Sequence, residues 1–318
     1  TWCLVGSEMC IRDSPLTARV AVNRIWALFF GTGIVSTSAD FGSQGEYPSH
    51  PDLLDYLATR FVSSGWNQKE LIQIIVSSAT YRQQSVTTGE QLTADPGNRL
   101  LGRGPRFRLP AECIRDQALA VSGLLVPRVG GPSVHPYQPH GLWKEISHFG
   151  STPATKQVFV QDHGEKLYRR SLYTIVKRTS PHPAMAAFDA PNREMCVVDR
   201  SQTNTPLQAL VTLNDPQFAE AARVFASSIL RDQTANDDRS RIERAFERIS
   251  SRQPESSEIE MIAQLLDAER ARFQKSPIDA ERVVAVGEYP VAHDLDPVEQ
   301  AAWTQIAALL LNLSEVLT

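Results

Sequence analysis

The sequence contains few cysteines, only four in 318 residues. Cys3 and Cys10 fall within the first 14 residues, and Cys113 and Cys196 are far apart. No CxxC or CxxCH pattern occurs, so the spacing of a zinc knuckle and the attachment motif of c-type haem are both missing. We therefore predict no metal site and no cofactor in this chain, and we expect Cys113 and Cys196 to be small buried hydrophobic residues.

The sequence also lacks a run of 18 apolar residues, so it predicts no transmembrane segment. The apolar stretch at residues 20–30 is interrupted by Asn23 and Arg24. No secretory signal opens the chain. The protein is therefore either cytoplasmic or a fragment whose export signal lies upstream, and a start at Thr1 instead of Met favours the fragment.

An excess of positive charge is missing as well. Lys and Arg number 32 against 36 Asp and Glu, which gives a net charge of −4. Nucleic-acid-binding proteins usually carry a basic excess, so we predict no nucleic-acid partner. The hydrophobic fraction of 42% and the charged fraction of 21% are typical of a soluble globular protein.

No GxSxG, Walker, HExxH or Rossmann glycine motif occurs, so no reaction type can be assigned from a motif. Whether the protein is an enzyme stays open on the sequence alone.

Apolar residues recur at helical spacing through most of the chain. The fold class predicted is mainly α, an irregular multi-helix domain with long loops and at most a small β element. Residues 127–165 and 275–296 are predicted as loops, and residues 167–178, which are β-branched and aromatic, as the one strand. The predicted helices are 15–30, 50–64, 67–79, 110–125, 183–188, 205–213, 215–230, 241–249, 256–273 and 297–317.

The first 14 residues resemble translated sequencing-adapter DNA of the kind found in metagenomic assemblies. We interpret residues 1–14 as non-native sequence and residues 15–318 as one helical domain. A polar stretch at residues 231–240 is a candidate subdomain boundary.

The first candidate site lies in residues 40–52. Asp40, Glu46 and His50 could bind a metal or act as an acid–base group. The alternative is helix capping, with Ser49 as the N-cap and Pro51 in the first helical turn.

A second candidate is an anion-binding set of arginines, because a guanidinium can clamp sulfate, phosphate or carboxylate. The alternative is a group of ion pairs with acids such as Glu112, Asp116 and Asp189. Two further segments, Glu112 with Arg115 and Asp116, and residues 200–210, favour structural salt bridges and helix capping. The arginines of the candidate set are Arg103, Arg106, Arg108, Arg169, Arg170 and Arg178.

Several short motifs, taken in order, resemble the planctomycete-type domain of unknown function DUF 1553 from about Pro15 to Thr318. No single motif is diagnostic, but their order is specific. They are AVNRIW at 21–26, DFG at 40–42, PSHP at 48–51, RLPAE at 108–112, IRD at 114–116, GGPSV at 130–134, YRRSLY at 168–173, FDAP at 188–191, TNTPLQAL at 203–210 and LLNLSE at 310–315.

This resemblance implies a bacterial C-terminal domain that follows a related domain and often a cytochrome-c-like domain carrying haem c. Export to the periplasm or outside the cell is implied, because c-type haem is attached outside the cytoplasm. The expected partners are upstream domains of the same polypeptide. The expected function is that of an accessory or binding domain, and the alternative is a hydrolase or lyase acting on anionic polysaccharide. The resemblance supplies no catalytic residues.

Overall fold

The computed structural model describes residues 14–146 and 157–318. Cys3, Cys10 and the rest of residues 1–13, together with residues 147–156 of the predicted loop, lie outside the described residues. The chain divides into two compact units, one ending at Phe107 and the other beginning at Arg108. In the described ranges, β pairing is limited to two isolated bridges. The mainly α prediction is confirmed.

Among its described residues, 14–107, the first unit contains four helices: α1 (Pro15–Phe30), α2 (Pro51–Ser63), α3 (Gln68–Ser77) and α4 (Gly89–Ala94). A proline occupies the first turn of α1 and of α2, where its missing N–H costs no hydrogen bond. One face of α1, α2 and α3 builds the apolar core, whose large members include Val22, Trp26, Leu54, Leu57, Phe61, Leu71 and Ile75.

The second unit contains ten helices within the described residues. They are α5 (Ala111–Ser122), α6 (Leu142–Ile146), α7 (Pro183–Ala187), α8 (Pro206–Asn214), α9 (Pro216–Leu230), α10 (Asp238–Ser250), α11 (Ser256–Lys275), α12 (Pro277–Val284), α13 (Pro297–Leu311) and α14 (Ser314–Leu317).

Helices α9 and α13 pack against each other at the centre of the second unit. Both are buried on most of their surface, which explains why neither shows a clean polar face. The carboxylates of Asp215 and Asp296 cap their first turns by accepting from Gln217 N and Glu299 N, each at 2.9 Å. Helices α5, α11 and α12 surround this pair.

The predicted strand at residues 167–178 is wrong. The segment forms two 3₁₀ turns, Gly164–Tyr168 and Ser171–Tyr173, and only Arg169 and Thr174 enter isolated bridges. The part of the chain that the structure describes offers no neighbouring strand. The carbonyl oxygens of Leu167 and Arg169 accept hydrogen bonds from the side chain of Arg115 instead. A segment rich in β-branched and aromatic residues therefore does not form a β-strand when it has no strand to pair with.

The predicted loop at residues 275–296 contains α12, which is another difference. This helix buries only Ala280 and Val284, so its apolar pattern is too short to indicate a helix from sequence.

The polar stretch 231–240 lies inside the second unit, whereas the division between the units falls at Phe107 and Arg108. No helix in the described residues is long and apolar enough to cross a membrane.

Candidate functional site

A cleft of about 340 Å³ opens on the first unit. Leu16 and Arg19 of α1 form one wall, and the first turns of α2 form another. The segment 41–48 closes the third side. The full lining is Leu16, Arg19, Val35, Phe41, Gly42, Ser43, Gly45, Glu46, Tyr47, Pro48, Pro51, Leu54 and Asp55.

Helical spacing explains which side chains reach the cleft. Leu16 and Arg19 are three residues apart on α1, and Leu54 and Asp55 follow Pro51 by three and four residues on α2, so each set shares one face of its helix. Leu54 is buried in the apolar core and contributes to the floor. The cleft therefore combines an apolar floor with a polar rim.

The rim carries an ion pair between the two helices. Arg19 Nε donates to Asp55 Oδ1 at 2.6 Å, and both side chains are about half exposed. Such an exposed pair contributes only about 0–1 kcal/mol to stability. It nevertheless fixes a guanidinium and a carboxylate side by side at the edge of the cleft.

A second pair holds Glu46. Its Oε2 accepts from the Ser36 hydroxyl at 2.8 Å and from Arg99 Nη1 at 3.0 Å. The Ser36 hydroxyl and the Arg99 guanidinium hold the pKa of the Glu46 carboxyl below its ordinary value of 4.5. Glu46 is therefore ionised at neutral pH.

The segment before Glu46 is folded by its own polar groups. Asp40 Oδ1 accepts from the backbone N–H of Gly42 at 2.6 Å, and the Thr37 hydroxyl donates to the Asp40 carbonyl at 2.8 Å. Thr37 Oγ1 also accepts from Glu46 N at 3.0 Å. Gly45 lies so close to the Asp40 carbonyl oxygen that a Cβ would overlap it. Asp40 thus shapes the turn that presents Glu46.

Of the three acid–base candidates, Glu46 lines the cleft, whereas Asp40 and His50 do not. His50 occupies the N-cap position of α2 without a side-chain cap, and its Nδ1 lies 3.0 Å from Ser49 Oγ. Ser49 is not the N-cap that the capping alternative predicted, because its hydroxyl donates to the Ile34 carbonyl at 3.2 Å. In the part of the chain that the structure describes, no three His, Cys, Asp or Glu side chains are placed to hold a metal ion.

The arginines of the predicted anion site belong to both units. Arg103 donates to the carbonyls of Asp95 and Pro96 at 2.9 and 2.8 Å, and Arg106 is exposed. In the second unit, Arg108 donates to Asn204 Oδ1 at 2.7 Å. These contacts with backbone and amide oxygens stabilise loops.

Arg169 is buried, and its guanidinium binds the carbonyl oxygens of Arg128, Gly130 and Pro132. The same group lies 3.8 Å from the centre of the Tyr173 ring. Arg169 therefore anchors the irregular segment near residue 130. Of the last two candidates, Arg170 lies 3.8 Å from Asp116 Oδ2 in an ion pair, and Arg178 is exposed.

Arg115 is a second buried arginine that holds backbone segments together, a role that the sequence did not indicate. It donates to the carbonyls of Leu167 and Arg169 at 2.7 and 2.8 Å and to Gln217 Oε1. Burial lowers the pKa of Arg115 to about 10. On the same helix, Glu112 pairs with Arg200 at 2.8 Å, an arginine outside the candidate set, and Arg115 lies 3.6 Å from Asp116 Oδ1.

Residues 200–210 follow the capping alternative. Thr205 and Gln208 form a capping box at the start of α8. Gln208 Nε2 also donates to the Ala187 carbonyl at 3.0 Å, and Asp189 Oδ2 accepts from Thr203 N at 2.7 Å. The helix N-terminus is therefore occupied by groups of the chain itself.

Cys113 and Cys196 are both exposed, so the prediction that they are buried is wrong. Cys113 lies on the outward face of α5 between Glu112 and Ile114, and Cys196 lies in an exposed loop. Although Cys113 is exposed as a residue, partial desolvation of its thiol and the negative charges of Glu112 and Asp116 raise the pKa of that thiol.

Several cleft residues gave no signal in the sequence. Arg19, Tyr47 and Asp55 are residues of the kind found on any protein surface. The packing of α1 against α2 brings Arg19 to Asp55, and the segment 41–48 between the helices adds Tyr47.

Comparison with known families gives one match. A family model described as PSD1, protein of unknown function (DUF1553), matches residues 7–266. The match begins inside the first 14 residues and ends in α11. No curated protein and no solved structure matches the chain.

Proposed function

The chain belongs to the PSD1 family of proteins of unknown function (DUF1553), and we propose that it is a non-catalytic ligand-binding domain of an exported multidomain bacterial protein. The ligand site is the cleft between α1, α2 and residues 41–48. This proposal places recognition in the first unit and leaves chemistry to other parts of the parent protein.

One observation carries the proposal: both carboxylates of the cleft are held in ion pairs with arginine. A general acid needs a carboxyl that keeps its proton near neutral pH, which requires a raised pKa. The pKa of Glu46 is shifted downward instead. Paired, ionised carboxylates accept hydrogen bonds from a ligand, and this favours binding over acid catalysis.

The competing function, a hydrolase or lyase acting on anionic polysaccharide, has less support. It requires arginines free to clamp sulfate or uronate groups. The guanidinium groups of Arg103 and Arg169 donate to backbone carbonyls of their own unit, and neither residue lines the cleft.

The multidomain context is proposed from the family resemblance. In that context the parent carries an export signal and an upstream domain with covalent haem c, and this domain works in the periplasm or outside the cell. The context is tested on the protein encoded by the complete gene. Covalent haem in a pyridine haemochrome spectrum and a processed N-terminus are expected, and absence of both contradicts it.

The binding proposal is tested on the full 318-residue chain with a fragment library and ligand-observed NMR. Ser43 lines the cleft and is exposed, so Ser43→Trp fills the cleft without breaking the core. Gln44→Trp adds the same ring at the next exposed position, outside the lining, and is the matched control. We expect fragments whose binding is lost in S43W and kept in Q44W. A library without any such fragment contradicts the proposal.

A further inference from the structure

We propose that the cleft binds a unit of a neutral saccharide. In this arrangement the ring of Tyr47 covers the C–H face of the sugar, and the lining residues Arg19, Asp55 and Glu46 exchange hydrogen bonds with its hydroxyl groups. This inference rests on the proposed function and adds the chemical class of the ligand.

Tyr47 is the first reason. It lines the cleft although the residue is 91% exposed. A large aromatic ring left in water at the mouth of a cleft offers an apolar face with a polar tip. The pyranose ring has the complementary shape, because its axial C–H groups form an apolar face while its hydroxyls point outward. Phe41, Pro48 and Pro51 extend the apolar surface beside Tyr47.

The second reason is the balance of donors and acceptors on the rim. A sugar hydroxyl both donates and accepts a hydrogen bond. The Arg19–Asp55 pair places a donor nitrogen next to an acceptor oxygen at 2.6 Å, and both residues line the cleft. Glu46 adds a second acceptor, which Arg99 holds at 3.0 Å from outside the lining.

Charge is the third reason. The two pairs contain two arginines and two carboxylates, so their charges cancel. In the cleft, an anionic glycan would have to approach Glu46 and Asp55, and a cationic peptide would have to approach Arg19. A neutral ligand meets neither repulsion.

The size of the cleft agrees with this ligand class. Its volume of about 340 Å³ is at the lower end of the ~300–1,000 Å³ found for small-ligand sites. The cleft therefore suits a single sugar unit at its centre, with the remainder of a chain lying outside on the exposed surface.

The test measures binding to the full chain by isothermal titration calorimetry and saturation-transfer NMR. The probes are neutral cello-, xylo-, manno- and chito-oligosaccharides, the anionic oligogalacturonate and a heparin-derived oligosaccharide, and a proline-rich peptide containing arginine. The variants are Tyr47→Ala, Tyr47→Phe and, as a matched control, Tyr56→Ala, since Tyr56 is also exposed on the first unit but does not line the cleft.

We expect at least one neutral oligosaccharide to bind. Tyr47→Ala should weaken that binding roughly tenfold or more, whereas Tyr47→Phe and Tyr56→Ala should change it less than threefold. Because Tyr47 is exposed, its replacement should leave folding intact, which thermal unfolding verifies. If Tyr47→Ala binds the neutral oligosaccharide as tightly as the wild type does, the inference is overturned.

The remaining outcomes separate the two proposals. Binding of only the anionic glycans or only the peptide, lost in Ser43→Trp, overturns the assignment of a neutral saccharide and keeps the cleft as the ligand site. Binding of no probe, together with no cleft-dependent fragment, overturns both.

Discussion

Asn23 and Val35 exchange two hydrogen bonds inside the first unit. Asn23 Nδ2 donates to the Val35 carbonyl at 3.0 Å, and Val35 N donates to Asn23 Oδ1 at 2.8 Å. Asn23 is completely buried. Its amide has both a donor and an acceptor, so it satisfies both backbone groups of Val35 and fixes the segment after α1 against that helix. This explains the polar residue within the apolar stretch 20–30.

Asn23→Leu should destabilise the first unit by about 2–4 kcal/mol, because the buried N–H and C=O of Val35 both lose their partner. Urea unfolding followed by tryptophan fluorescence, with hydrogen exchange of residues 22–35, measures the loss. Gln44→Leu likewise replaces an amide side chain by leucine, but at an exposed position, and should stay within about 0.5 kcal/mol of the wild type. Equal stability of the two variants would contradict the role of Asn23.

Gly287 lies against the buried carboxylate of Glu220. Glu220 Oε1 accepts from the Tyr168 hydroxyl at 2.9 Å and from Tyr289 N at 2.6 Å, and a Cβ on Gly287 would overlap the Glu220 carboxylate. Gly287→Ala should therefore destabilise the second unit more than Gly141→Ala, by about 1–3 kcal/mol. Gly141 is the matched control because it has the same φ of +89° with open space at its Cβ. Equal losses in the free energy of urea unfolding would refute the packing argument.

Arg115→Met should destabilise the second unit by about 3–5 kcal/mol, since the carbonyls of Leu167 and Arg169 are left buried without their donor. Arg106→Met, at an exposed position, should be nearly neutral. Hydrogen exchange should increase at residues 167–173 in the Arg115 variant. Protection unchanged at those residues would show that Arg115 does not hold the segment.

The sequence predicted the helices with long, regular patterns. Residues 15–30 were predicted and observed with the same limits, and α9 was found from its apolar content and opening proline. The helix predicted over 297–317 is observed as α13, which ends at Leu311, and the separate short helix α14. The short helix α12 was missed because it buries only Ala280 and Val284. Local periodicity therefore determined the long elements, while short ones depend on contacts made far away in the chain.

The candidate site was less predictable than the fold. Glu46 was selected because it stands in a glycine-containing acidic segment, and it does line the cleft. Arg19 and Asp55 are 36 residues apart and pair at 2.6 Å, a contact that depends on how α1 packs against α2. The second buried anchor, Arg115, likewise depends on tertiary structure, because its acceptors lie more than 50 residues away.

The pKa of Glu46 should rise toward its ordinary value when its partners are removed. Ser36→Ala and Arg99→Gln together delete the hydroxyl and the charge that lower it. Carbon-13 NMR titration of the Glu46 carboxyl measures the shift. Ser43→Ala, which changes a cleft residue that is not bonded to Glu46 in the described contacts, should leave the titration unchanged. A pKa that stays low in the double variant would mean that other groups control it.

His182 should make the second unit less stable in mild acid. It is buried, its Nε2 lies 2.7 Å from the Tyr137 carbonyl, and burial lowers the pKa of its imidazole from 6.5 to about 4, with the charge of Arg115 acting in the same direction. Between these values the unfolded chain binds a proton that the folded chain does not. The free energy of unfolding should therefore fall as the pH decreases from 6.5 to 4, by up to about 3 kcal/mol from this group.

Urea unfolding at several pH values between 7 and 4 tests this slope. His182→Gln keeps an N–H that can donate to the Tyr137 carbonyl but cannot titrate, so its stability should depend less on pH in this window. His140→Gln removes an exposed histidine and should keep the slope of the wild type. If His182→Gln and the wild type lose stability in parallel down to pH 4, then His182 takes up its proton in the folded protein as readily as in the unfolded chain, and its burial does not control the acid response.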